Sequence, residues 1–338
     1  MNLEEQTTLQ DNRSSEVFTN PLLMDRILVE IEWFDIQCLR KVSRGIRLCV
    51  DSLKPDPQIA KYKIKLIDNF PGTVEIYITT KLSEDSKYVK YRSREFLLND
   101  DDQYENDFVY CDGPLIERVV NDFRIIFQHQ VSMMSKFNLK VNGEILKSIG
   151  NVLKSRDTPL NVEMLKMKVA NEKDIMSILP YLDSVESIEI GSYSEGDLSL
   201  SDVSRLDQWR NACELKVEDL TIMNSIQELN LHNFQEIDIK VNNISTNDFI
   251  YLKEIAEQSK KFIYFKIDFE HSLIDDSFYT SLPPYMRNPN AKKTWYFPLS
   301  SPQKFLQLDY DERINTIYVY RVDRDRVPED FLIDLNDE

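Results

Sequence analysis

Two apolar stripes of helical spacing stand near the start of the chain. Leu23, Ile27 and Ile31 recur at a spacing of four with Leu28 beside them, and Ile36, Leu39, Val42, Ile46 and Cys49 follow at three and four. Asn20-Pro21 suits a helix start, because the Asn side chain can accept from free backbone N–H groups and the N–H that proline lacks is not needed in a first turn. Asp35 is the expected cap of a second helix, and Pro55 and Pro57 end the segment. Residues 18–55 therefore read as a helical module, and the polar stretch 1–17 before it as a disordered N-terminus.

Beyond the prolines the period changes from helical to alternating. Residues 60–68, 73–82 and 87–98 read as a small antiparallel sheet, and 115–130 as a helix with Val119, Phe123, Ile126 and Phe127 on one face. Together these make 56–132 a β-rich region with one helix. From 133 to 270 a short apolar-x-apolar strand recurs about every 25 residues, centred on Leu139, Met167, Ile188, Leu215, Ile239 and Ile267. Helix-like segments fill most of the gaps, at 143–155, 173–182, 200–212 and 247–259. The gap 218–234 is less regular.

A strand and a helix in each short unit predict a degenerate leucine-rich-repeat-like βα array, in which stacked units bury what one unit cannot. The asparagine ladder of such repeats is missing, and an ordinary open α/β sheet is the competing reading. Residues 271–291, with three prolines, read as a loop, 292–322 as terminal β-strands and 323–338 as an acidic tail. The expected fold class is thus α+β or α/β: a helical module, a small antiparallel sheet, the βα array and closing strands.

Composition narrows the function. An apolar fraction of 42% supports a sizeable core, and 338 residues suggest two domains. A net charge of −17 disfavours nucleic acid and anionic membrane, and acidic residues concentrate in 99–107 and 329–338. Four scattered cysteines without a C-x-x-C fit a reducing compartment and no zinc site. With no signal core and no long apolar window, the expected location is cytoplasmic or nuclear. The three histidines show no metal-ligand spacing, no glycine-rich phosphate loop or nucleophile motif occurs, and Cys111 has no basic neighbour in sequence to activate it. No catalytic residue, cofactor or metal is therefore expected. What stands out is the module, which offers more leucine, isoleucine, tryptophan and phenylalanine than so small a unit can bury.

The residues NPLLMDRIL followed by WFDIQCLRKVSRGIR resemble an F-box, with Pro21, Leu22, Ile27, Leu28, Leu39, Val42 and Ser43 at matching positions. Later stretches, DFRIIFQHQVSMMSKFNLKV, ILPYLDSVESIEI and LDQWRNACELKV, resemble the FTH-domain proteins of the nematode F-box A family, and the likeness runs from about residue 18 to 322. This chain opens its F-box with Asn-Pro rather than Leu-Pro. The resemblance implies a non-catalytic substrate-recognition subunit of an SCF-type ubiquitin ligase. Its F-box would dock on a Skp-family adaptor, and through it on a cullin, while its FTH region binds a protein substrate. The expected adaptor-binding residues are Pro21, Leu22, Leu23, Ile27, Leu28, Ile31, Trp33, Phe34, Leu39, Val42, Ser43 and Ile46. The alternative is a protein-binding scaffold that works without a ligase. The substrate-binding residues are not legible, although the acidic charge favours a basic target and salt-sensitive binding.

Overall fold

The computed structural model describes residues 20–67, 72–94, 108–274, 286–287, 292–329 and 331. The expected disordered stretch 1–17, the acidic run 99–107 and half of the acidic tail (330 and 332–338) lie outside them. The chain divides into two compact units, Met1–Val162 and Glu163–Glu338.

Among the described residues, the first unit begins with three helices, α1 (Pro21–Val29), α2 (Trp33–Val42) and α3 (Arg44–Leu53). The Asn20 side chain caps α1, accepting from the N–H groups of Leu22 and Leu23 at 3.0 and 3.3 Å. The second stripe does not form one helix. Ser43 adopts extended backbone (φ −153°, ψ 160°), ending α2, and its hydroxyl oxygen accepts from the N–H of Ile46 at 3.2 Å to start α3. Asp35 is not the cap expected of it, because α2 starts earlier, at Trp33, and Asp35 falls in its first turn. Lys54 closes α3 in the left-handed region at φ 50°.

Four strands, a helix, a strand and a helix follow: β1 (Ile59–Leu66), β2 (Thr73–Thr80), β3 (Lys87–Ser93), β4 (Phe108–Cys111), α4 (Leu115–Phe127), β5 (Met134–Lys140) and α5 (Gly143–Lys154). The sheet order is β5-β1-β2-β3-β4. β1, β2 and β3 pair antiparallel as their alternation predicts, but β5 joins β1 and β4 joins β3 in parallel, so the sheet is mixed. Behind it, Phe123 and Phe127 of α4 pack on Tyr62, with ring centroids 5.6 and 5.0 Å away. Gln130, fully buried, ties the segment after α3 to this core. Its side chain accepts from the N–H of Ile59 and donates to the carbonyls of Ile59 and Ser132, while Asp56 accepts from the N–H of Ser132 at 2.7 Å.

The second unit begins with β6 (Val162–Lys168), α6 (Glu172–Met176), β7 (Ser187–Gly191), β8 (Gly196–Leu198), α7 (Asp207–Asn211), β9 (Glu214–Ile222), β10 (Glu236–Ser245), α8 (Thr246–Gln258) and β11 (Tyr264–Leu273). β6, β7, β9, β10 and β11 lie side by side in chain order, all parallel. β12 (Met286–Arg287), β13 (Lys292–Pro298), β14 (Lys304–Asp311) and β15 (Thr316–Asp323) form an antiparallel meander, and β15 pairs antiparallel with β11.

Several expected elements change length. The helix expected over 173–182 is cut to a short helix and a 3-10 turn, since Pro180 cannot continue an α-helix. That over 200–212 likewise becomes a 3-10 turn and α7. The irregular gap 218–234 holds the rest of β9 and two 3-10 turns, with Asn230 between them in the left-handed region at φ 55°. β11 runs three residues into the stretch read as a loop, 271–291, and β12 lies within it. Asp323 ends β15, so the strand takes the first residue of the stretch read as a tail. The expected repeat centres hold register in part. Ile188 faces Leu215 and Ile239 faces Ile267, but Met167 faces Ile190 and Leu215 faces Ile237. Each slip is two residues, which keeps the apolar side inward.

Candidate functional site

Two surfaces have the composition of an interface. The first is the helical module. Its core is Met24, Leu28, Trp33, Ile36, Ile46 and Val50, with Ile31, Leu39, Cys49 and Leu53 half-buried against it. The stripe that turns inward on α1 is Met24–Leu28, one position on from the Leu23–Ile27 stripe read from the sequence. α1 is apolar on most of its circumference, so spacing alone does not select the inward side.

This sorts the twelve expected adaptor-binding residues. Pro21, Leu22, Leu23, Ile27, Val42 and Ser43 are exposed, with Leu22 and Val42 the most open of its large apolar side chains at 78% and 69%. Ile31, Phe34 and Leu39 are half-buried. Leu28, Trp33 and Ile46 are buried in the module itself, so they hold its shape and do not offer a face. Val42 is exposed because steps of three from Trp33 through Ile36 and Leu39 drift round α2, leaving its last residue off the buried side. Two further exposed apolar residues, Val29 and Leu48, were missed. Val29 follows the core residue Leu28, and Leu48 lies between Ile46 and Val50, so helical phase relative to the true core would have found both.

The module is held to the chain that follows. The side-chain amide of Gln58 donates to the carbonyl of Val29 at 3.0 Å. A cavity of about 350 Å³ lies between the module and α4, lined by Trp33, Arg40, Lys54, Ile125 and His129 among others. Arg40 is paired with Asp51 at 2.8 Å, and burial with the nearby Lys54 and Arg156 charges lowers the His129 pKa. Burial raises the Cys111 thiol pKa, the opposite of what a nucleophilic cysteine needs. Among the described residues no group of three or more His, Cys, Asp or Glu could hold a metal ion. No helix among them is long and apolar enough to cross a membrane.

The second surface is one face of the parallel strands. Their inward side chains, among them Leu165, Ile188, Leu215, Ile237 and Phe265, are buried and in register. The outward ones form a row of alternating charge: Lys166, Glu189, Lys216, Asp238 and Lys266, ending on Tyr318 of β15. Lys166 pairs with Glu189, and Lys266 donates to Asp238 and Asp268, both at 3.0 Å. Burial draws the Lys266 ammonium down, but its bonds to the two carboxylates outweigh this and hold its pKa above the ordinary value. One step toward the strand starts, the next outward row runs Ser187, Glu214, Glu236, Tyr264 and Tyr320.

Toward the other end the strands bulge. β7 pairs with β9 as far as Ile190 and Val217, and pairing resumes between β8 and β9 at Gly196 and Leu220. Asp219 sits in this bulge in the left-handed region, at φ 61°. The bulged residues wall a cavity of about 830 Å³ whose lining includes Glu195, Glu218, Asp219, Lys240 and Glu270.

Residues 143–279 match the FTH domain. The matched stretch carries β6 to β11, and with them the charged row and the bulges. No curated protein and no solved structure matches the chain.

Proposed function

We propose that the chain is the substrate-recognition subunit of an SCF-type ubiquitin ligase. The helical module docks as an F-box on a Skp-family adaptor, which brings a cullin, and the FTH region binds the protein to be modified. The FTH domain is found in F-box proteins, and its match supports a protein-interaction role. The observation that carries the proposal is the outward face of the module, where Leu22, Leu23, Ile27, Val29, Val42 and Leu48 are all exposed within one small helical unit. A surface of that kind gains most when a partner covers it. In this reading the chain makes and breaks no bonds; it raises the concentration of a target near the ligase's transfer machinery.

Co-expression with a Skp-family adaptor, with and without residues 18–52, tests the proposal. A one-to-one complex is expected on size-exclusion chromatography, and it should disappear with the deletion. A folded chain that never co-elutes with the adaptor would remove the ligase role. The scaffold reading would then lead, because the charged strand face needs no adaptor to bind a partner.

A further inference from the structure

The outward face of β6–β11 has more to say about what is bound. Its lysines are already engaged from within: Lys166 by Glu189, Lys216 by Glu218 at 2.6 Å, Lys240 by Glu270 at 2.7 Å, Lys266 by two aspartates, and Lys168 by the Ser192 carbonyl and the Tyr193 ring. The acids are not all matched. Glu214 and Glu236 stand side by side in register, both exposed, and neither forms an ion pair among the described residues. At the bulged end Glu195, Asp197 and Asp219 are exposed in the same position. The face is therefore negative where its charge is still available to a partner. Tyr264, in register with Glu236, lies beside the unmatched pair, and Tyr318, in register with Lys266, stands 6.5 Å from Tyr264 between ring centroids, so this side of the pair carries π surface that favours a cation.

We propose that this face docks a basic polypeptide segment laid across the strands, its lysine or arginine side chains meeting Glu214 and Glu236 beside the two tyrosines. Several other occupants fit poorly. Nucleic acid is repelled by the same charge. An apolar segment finds little here, since the outward residues of these strands are mostly charged or polar. The chain's own acidic stretches, 99–107 and 329–338, carry the same sign as the face.

The proposal deepens the substrate-binding half of the proposed function. Its test uses the full chain with no adaptor present, so a failure of adaptor docking leaves the result unaffected. A fluorescently labelled peptide of alternating lysine and serine is titrated with the protein at low salt and near physiological ionic strength, followed by anisotropy. Two double variants are compared. Glu214→Gln with Glu236→Gln removes the unmatched pair, and Asp183→Asn with Glu254→Gln removes the same charge from exposed positions off this face. The expected result is saturable binding that weakens with salt, falls about tenfold in the first variant and stays within about twofold in the second. Equal losses in the two variants would mean attraction to net charge alone and would overturn the proposal. So would the absence of saturable binding at low salt, or a dimer in light scattering that only the Glu214/Glu236 variant dissolves, which would make a second copy the occupant.

Discussion

The helical module and the charged strand face are opposites in what they leave outside. The module buries six residues and leaves as many large apolar side chains exposed. The strand face buries a complete apolar side and leaves lysines, carboxylates and tyrosines outside. Contacts on the first would be held by apolar area and change little with salt. Contacts on the second would be held by charge and weaken as salt rises. Under the proposed function, the two surfaces would take partners of different chemistry. An adaptor that must be kept suits the first surface, and a target that must be released suits the second.

The largest effect is expected at Leu28. Because Leu28 is core and not surface, Leu28→Ala should cost about 2–5 kcal/mol of module stability, as truncations of buried leucine do. Hydrogen exchange over residues 21–53 should then speed up while β9–β11 keep their protection. Unchanged exchange in the module would show that Leu28 is not holding it together. The exposed residues should behave in the reverse manner. Leu22→Asp should alter thermal stability by no more than about 0.5 kcal/mol. If the module docks on an adaptor, the same change should weaken that complex by about 2 kcal/mol, roughly thirtyfold, measured by titration calorimetry. A variant that loses stability but not binding would invert the assignment.

Gln130 holds the segment that attaches the module. Gln130→Leu leaves the N–H of Ile59 without its acceptor and frees the carbonyls of Ile59 and Ser132, so it should cost about 1–3 kcal/mol in a denaturant titration. A neutral substitution would mean the network is dispensable. The smallest effect is expected from Glu75, in β2. Burial raises its pKa, but Lys65 and Tyr77 hydrogen bonds and the Lys90 charge outweigh this and hold it below the ordinary 4.5. A carboxylate with a depressed folded pKa stabilises above its unfolded value and loses that contribution as pH falls through the folded one. The melting temperature should thus fall as pH drops below about 4.5, and less steeply in Glu75→Gln. Identical acid limbs in both proteins would assign the effect to other groups.

How far the sequence foretold this molecule depended on whether one face or two had to be chosen. The alternation in 164–169, 236–241 and 264–269 has a single apolar side, and the strands with their inward residues follow from it directly. α1 has two overlapping stripes, Leu23–Ile27 and Met24–Leu28, and only contact with Trp33, Ile36 and Val50 decides between them. The break at Ser43 was masked because Ile36, Leu39, Val42 and Ile46 keep helical spacing across it, although a serine three residues before Ile46 is a possible cap. The charged row was beyond periodicity altogether. Lys166, Glu189, Lys216, Asp238 and Lys266 are far apart in sequence and become neighbours only through register. Excess acid was visible in the composition, but not which acids lack a partner.

Everything in the proposed function rests on the exposed side of the module being a docking surface. Hydrogen–deuterium exchange of the full chain, with and without a Skp-family adaptor, tests it most directly. Exchange over residues 21–29 and 42–50 should slow when the adaptor is present, with 214–241 unchanged. Unchanged exchange in the module, or slowing confined to the strands, would contradict it.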